Sequence, residues 1–196
     1  MSLLEMLGQT LTGDAVEQIS NRAGADRDAT AKAVAGALPI LIGALSRNTS
    51  NAQGAQALDR ALERDHMGVD VGDLAALAGR VDRSTGQGIL KHVLGGRRSA
   101  VEGTLGQMSG IDANQAGKIL EVLAPIVMGY LAKEKKQEGV GADGLSSMLD
   151  REAKRAPSQG MDLASRLLDR DGDGQVADDL LDIGGSLLGS FLGGKR

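Results

Sequence analysis

The chain has 196 residues, a formal net charge of −4, and one tyrosine and one phenylalanine as its sole aromatics. That composition excludes a stacking platform for single-stranded nucleic acid and a broad basic field for phosphate backbones. It contains no cysteine, which excludes disulfides, thiolate catalysis and cysteine-bound zinc.

Hydrophobic residues make up 41% of the chain and charged residues 24%, the balance of a soluble globular protein. The apolar share is Leu, Ala, Val, Ile and Met, a mixture that favours helices over sheets, so the expectation is an all-α, multihelical fold. The first residues lack the basic start and long apolar run of a signal peptide. No apolar stretch is expected to reach the ~18 residues of a membrane span. A cytoplasmic location follows as the expectation.

In chain order, Asp14 with Glu17 has the spacing of an N-terminal capping box. Asp26 reads as the N-cap of a long helix that runs through Ala37, Leu38, Pro39, Ile40, Leu41, Ile42 and Gly43. This run is apolar almost all round and predicts a buried central helix, with Pro39 kinking or breaking it. Residues 46–51 read as a polar linker, and an amphipathic helix resumes at Ala57.

The same order then returns. Gly24, Asp26, Lys32, Pro39, Ile40, Gly43 and Leu45 match Gly110, Asp112, Lys118, Pro125, Ile126, Gly129 and Leu131, each 86 residues on. Ser99 with Glu102 repeats the capping-box spacing, Asp112 repeats the N-cap, and residues 133–138 repeat the polar linker. An amphipathic helix follows from Leu145 to Glu152. The reading is two tandem helical repeats, 1–85 and 86–196.

The second repeat carries the one segment with readable chemistry. Asp169, Asp171 and Asp173 stand at positions 1, 3 and 5 of an EF-hand-like loop spanning 169–180, with Gly174 at position 6. Calcium takes six to eight oxygen ligands, and alternate carboxylates followed by a turn glycine bring them to one point. Gln175 would add its backbone carbonyl. Position 12 is Leu180 rather than a bidentate glutamate, so Asp179 is the expected closing ligand, with Asp178 as its alternative. The predicted metal set is therefore Asp169, Asp171, Asp173, Gln175 and Asp179, for Ca²⁺ rather than Mg²⁺. Residues 63–73 read as a degenerate first copy of the loop, with Glu63, Asp65 and Met67 at the ligand positions. Methionine is a poor ligand for a hard cation, so little or no metal is expected there.

Three further segments carry a family signature. They are Gly88 through Gly95, Ser109-Gly110-Ile111-Asp112, and Leu123 through Gly129. Together they resemble the YidB-like bacterial family, domain-of-unknown-function family 937. The resemblance implies a bacterial, multihelical protein, some of whose relatives also end in an Asp-rich loop. It implies no active site.

His66 and His92 are the only histidines and read as structural. No catalytic constellation is expected. The leading reading is a non-enzymatic structural or interaction module that binds calcium. Its protein partner, or a second copy, would meet the apolar C-terminal residues from Leu180 to Leu192. The alternatives are a DNA-associated regulator with a metal-free loop, against which the acidic balance speaks, and a hydrolase.

Overall fold

The computed structural model describes residues 2–156. Among them are nine α-helices and no strand: α1 (Leu3–Thr10), α2 (Gly13–Ala23), α3 (Arg27–Asn48), α4 (Ala52–Ala61), α5 (Leu74–Arg80), α6 (Arg83–Val93), α7 (Arg98–Ser109), α8 (Ala113–Glu138) and α9 (Ala142–Arg155). The all-α expectation holds.

Local chemistry explains where the long helices begin. Asp26 accepts from the amides of Asp28 and Ala29 at the head of α3. Asp112 and Gln115 form a reciprocal capping box at the head of α8. Each is preceded by a helix ending on a left-handed glycine, Gly24 at φ 69° and Gly110 at φ 76°. That conformation suits glycine and closes a helix C-terminus.

Several sequence expectations are corrected. Asp14 and Ser99 are not caps: the N-cap position of α2 is Thr12 and that of α7 is Arg97, neither with a side-chain cap bond. The second capping box belongs instead to Ser2 and Glu5, on α1. Pro39 and Pro125 lie inside helices that continue past them, so neither breaks its helix. Residues 133–138 are not a linker but the last turns of α8, and residues 46–48 end α3.

The core is aliphatic and continuous. α3 buries Ile40, Leu41 and Ile42, and α8 buries Ile119, Leu120, Val122, Leu123 and Ile126. Residues from eight of the nine described helices form one buried hydrophobic cluster, and Leu58 and Ala61 of α4 pack against it. The packing is reciprocal. α2 rests on α8 and α7 on α3, while α3 and α8 meet each other and α4 meets α9. The two segments read from the sequence therefore share one core.

By length and composition α3 could cross a membrane, which corrects the expectation that no stretch reaches that length. Here most of its apolar window is buried inside the bundle, against α1, α2, α7, α8 and α9.

Candidate functional site

The metal set expected from the sequence, Asp169, Asp171, Asp173, Gln175 and Asp179, lies outside the described residues. The degenerate counterpart lies within them. Residues Leu62–His66 extend α4 by one π-helical turn, so the chain there is helical rather than looped. π-Turns form where one residue too many is fitted into a helix. The carboxylates of this stretch have other partners. The Lys135 ammonium lies 2.7 Å from Glu63 Oε1, and Arg64 lies 2.7 Å from Asp65 Oδ2. Met67 is exposed. Asp70 accepts from the Gly72 amide, and Asp73 caps α5 through the Ala76 amide. Among the described residues no three His, Asp or Glu side chains converge as a metal site.

Two buried charges dominate the electrostatics instead, and sequence reading missed both. The first is Glu121, 3% exposed on α8. Arg83 of α6 approaches its Oε2 at 2.6 Å, and Arg98 of α7 approaches its Oε1 at 2.7 Å. Arg98 also donates to Glu102 at 2.6 Å. Burial opposes ionisation of Glu121, but hydrogen bonds from Arg98, Arg83 and Gln87 outweigh it and hold the carboxyl below its usual range. One carboxylate thus ties three helices together. Gly86 permits this approach: a Cβ there would collide with the Glu121 backbone carbonyl.

The second is Lys135, 5% exposed near the end of α8. Its ammonium sits 2.7 Å from both Asp59 Oδ1 and Glu63 Oε1. The Glu63 contact is an aligned hydrogen bond, whereas Asp59 Oδ1 is an ion contact off the bonding direction. Burial lowers the affinity of Lys135 for its proton, and the two carboxylates more than restore it. Lys135 stands four residues after buried Leu131 on the same helix face, a spacing that would have revealed it had the helix been extended that far.

The histidines separate in role. His66 is 5% exposed in the π-turn; burial lowers its proton affinity, and neighbouring Asp65 only partly offsets this. His92 is exposed, its Nδ1 2.8 Å from the Gly88 carbonyl oxygen. At the corner between α3 and α7, burial and the nearby charge of Arg97 bring Arg47 down to about 10. Glu152 of α9 accepts from the Leu4 amide at 3.2 Å and fastens α1 to the bundle. Glu121, Lys135 and Glu152 thus each join one helix to another, while His92 contacts a carbonyl of its own helix.

No curated protein and no solved structure matches the chain. A family model described as bacterial protein of unknown function, DUF937, matches residues 5–134, from the first helix almost to the end of α8. That match takes in well over half of the sequence, including Glu121 with Arg83 and Arg98, and stops one residue short of Lys135; the chain belongs to this bacterial family.

Proposed function

We propose that this chain is a non-enzymatic, YidB-like structural or interaction module that takes up one calcium ion at Asp169, Asp171, Asp173, Gln175 and Asp179. The observation that carries the reading is the spacing of three aspartates at alternate positions before Gly174. Hard-cation sites use that pattern because alternate side chains converge on one point while the glycine allows the turn. Three carboxylates within five residues also repel one another, and a divalent cation relieves that repulsion. The described residues support the non-enzymatic part through the use of their buried charges, which bridge helices rather than line a cleft.

The family match ends at residue 134, and the loop begins 35 residues later. The matched region includes residues 63–73, the degenerate first copy, so calcium binding is proposed as the property that the second copy of the loop retains. With Leu180 in place of the bidentate glutamate, affinity falls in the weak class, on the order of 10⁻⁴–10⁻³ M. Titration calorimetry on the full chain tests this, with Asp171→Ala as the control. Heat of calcium binding in the parent and none in the variant supports the proposal. A parent chain silent to millimolar calcium refutes it.

A further inference from the structure

The contacts between the two halves of the bundle come in reciprocal pairs. α2 rests on α8 and α7 on α3. α9 lies on α3, and the π-turn that ends α4 lies on α8. α1 touches α8 and α6 touches α3, while the equivalent helices α3 and α8, and likewise α4 and α9, meet each other. Two side-chain ties follow the same rule. The Ser146 hydroxyl donates to the Thr49 carbonyl at 2.8 Å, and the Lys135 ammonium lies 2.7 Å from Asp59 Oδ1. Thr49 aligns with Lys135 at the offset that joins Pro39 to Pro125, and Asp59 aligns with Ser146 as Leu58 does with Leu145. The same two positions are therefore joined twice, with different chemistry. Contacts in which one position meets a second and the second meets the first are those of an isologous dimer, here made between halves of one chain.

Only Val81 and Asp82 connect α5, which packs on α2, to α6, the first helix of the second half. Both are extended, at φ −52° and ψ 131° and at φ −75° and ψ 118°. If both turned helical, α5 and α6 would run on as one helix over 74–93, about 30 Å long, and carry the second half away from the first. Such a helix needs the carbonyls of Ala78, Gly79 and Val81 as acceptors for the amides of Asp82, Arg83 and Thr85. Arg22 of α2 donates to those same three carbonyls, at 2.8, 2.8 and 2.5 Å. It thereby holds α5 to its present end.

We propose that the partner of this chain is a second copy of itself, in an exchanged dimer where α1–α5 of each molecule pack on α6–α9 of the other, and that Arg22 is the latch against it. Each half meets in the second molecule the same surface that it meets in its own, so exchange makes and loses no contact outside the hinge. A short hinge between two helices favours such an exchange, because straightening it is a local change. The interface is the one already present in the monomer, and the proposal stands independently of calcium.

The full chain is unfolded in urea and refolded at about 1 mM, the effective concentration that a short tether gives a chain's own second half, and again at about 1 µM. Gel filtration with light scattering should show a dimer from the first sample and a monomer from the second. Arg22→Ala should dimerise at a concentration at least about tenfold lower, since it removes three charge-assisted bonds that only the closed hinge uses. Asp82→Pro should stay monomeric at both concentrations. Proline fits the present φ of residue 82 and the extended Val81 before it, and it breaks a continuous helix. The absence of native cysteine lets the exchange itself be read. Asn48 Nδ2 lies 3.2 Å from the His92 carbonyl oxygen, so Asn48→Cys with His92→Cys should link the two halves through a short bismaleimide. In the exchanged dimer that link joins two chains on a denaturing gel; in the monomer it stays within one. A parent chain that is monomeric at both concentrations overturns the proposal. So does a dimer whose links stay within one chain, or an Asp82→Pro variant that dimerises as the parent does. If Arg22→Ala fails to fold, the cysteine pair in the otherwise unchanged chain decides the exchange and Asp82→Pro decides the hinge.

Discussion

Replacing Glu121 with glutamine removes one negative charge and almost no volume, which isolates the electrostatic tie from packing. Glu121 is 3% exposed and holds Arg83 and Arg98, whose side chains are 38% and 29% exposed. Breaking a fully buried pair costs roughly 3–5 kcal/mol because the surviving charge is stranded. Both guanidiniums here keep some solvent, and Arg98 keeps Glu102, so the penalty is discounted to about 2 kcal/mol. For a chain of this length that lowers the melting temperature by roughly 4–8 °C. Urea unfolding should show a lower midpoint at unchanged slope. The pH dependence supplies an independent sign. The folded carboxyl titrates below its ordinary value of 4.5, so its stabilisation is full above that pH and is lost as pH falls through the folded value. Parent and variant should therefore converge in stability towards acid and diverge above about pH 5. A variant within about 0.5 kcal/mol of the parent at neutral pH, or a gap that widens towards acid, refutes this account of the three-helix tie.

Four further outcomes follow from the same structure. Gly86→Ala places a methyl group against the Glu121 carbonyl and should cost about 1–3 kcal/mol by thermal melt, against the usual gain of alanine in a helix. Burial lowers the pKa of His66, so the unfolded chain binds its proton first; stability should drop as pH falls below about 6.5, and His66→Gln should flatten that slope. With calcium at roughly five times its dissociation constant, linkage predicts about 1 kcal/mol of stabilisation and a rise of roughly 2–4 °C, absent in Asp171→Ala. Fragments 1–85 and 86–196 expressed apart should each lack a cooperative melt by circular dichroism and regain one on mixing, because α2 needs α8 and α7 needs α3.

What could be read from the sequence was whatever depends on near neighbours. Asp26 and Asp112 were recognisable as caps because a carboxylate reaches its amides within one helical turn. The apolar runs around Pro39 and Pro125 announced buried central helices for the same reason. Errors arose where distant partners decide. Residues 133–138 look like a solvated charge run, yet Asp59 and Glu63, more than seventy positions away, let Lys135 enter the core. Asp14 and Glu17 have a capping-box spacing, but the backbone places the N-cap at Thr12, so Asp14 already lies inside the helix. Glu121 sits among apolar residues of α8, and only the fold brings Arg83 and Arg98 to it. The candidate calcium residues fall outside the described region, so that part of the sequence reading stands as proposed.

The reciprocal packing of α3 sets a timetable for synthesis. α3 is complete at residue 48, but the helix that meets it at the centre of the bundle ends at residue 138. A ribosome adding about 5–20 residues per second needs roughly 5–20 seconds to cover that interval. Until it ends, α3, the one helix among the described residues long and apolar enough to cross a membrane, waits without a complete α8 or α9 to cover it. The nascent protein is thus most exposed to aggregation and to capture by chaperones midway through its own translation, and a pause in decoding within residues 49–138 lengthens the hazard directly.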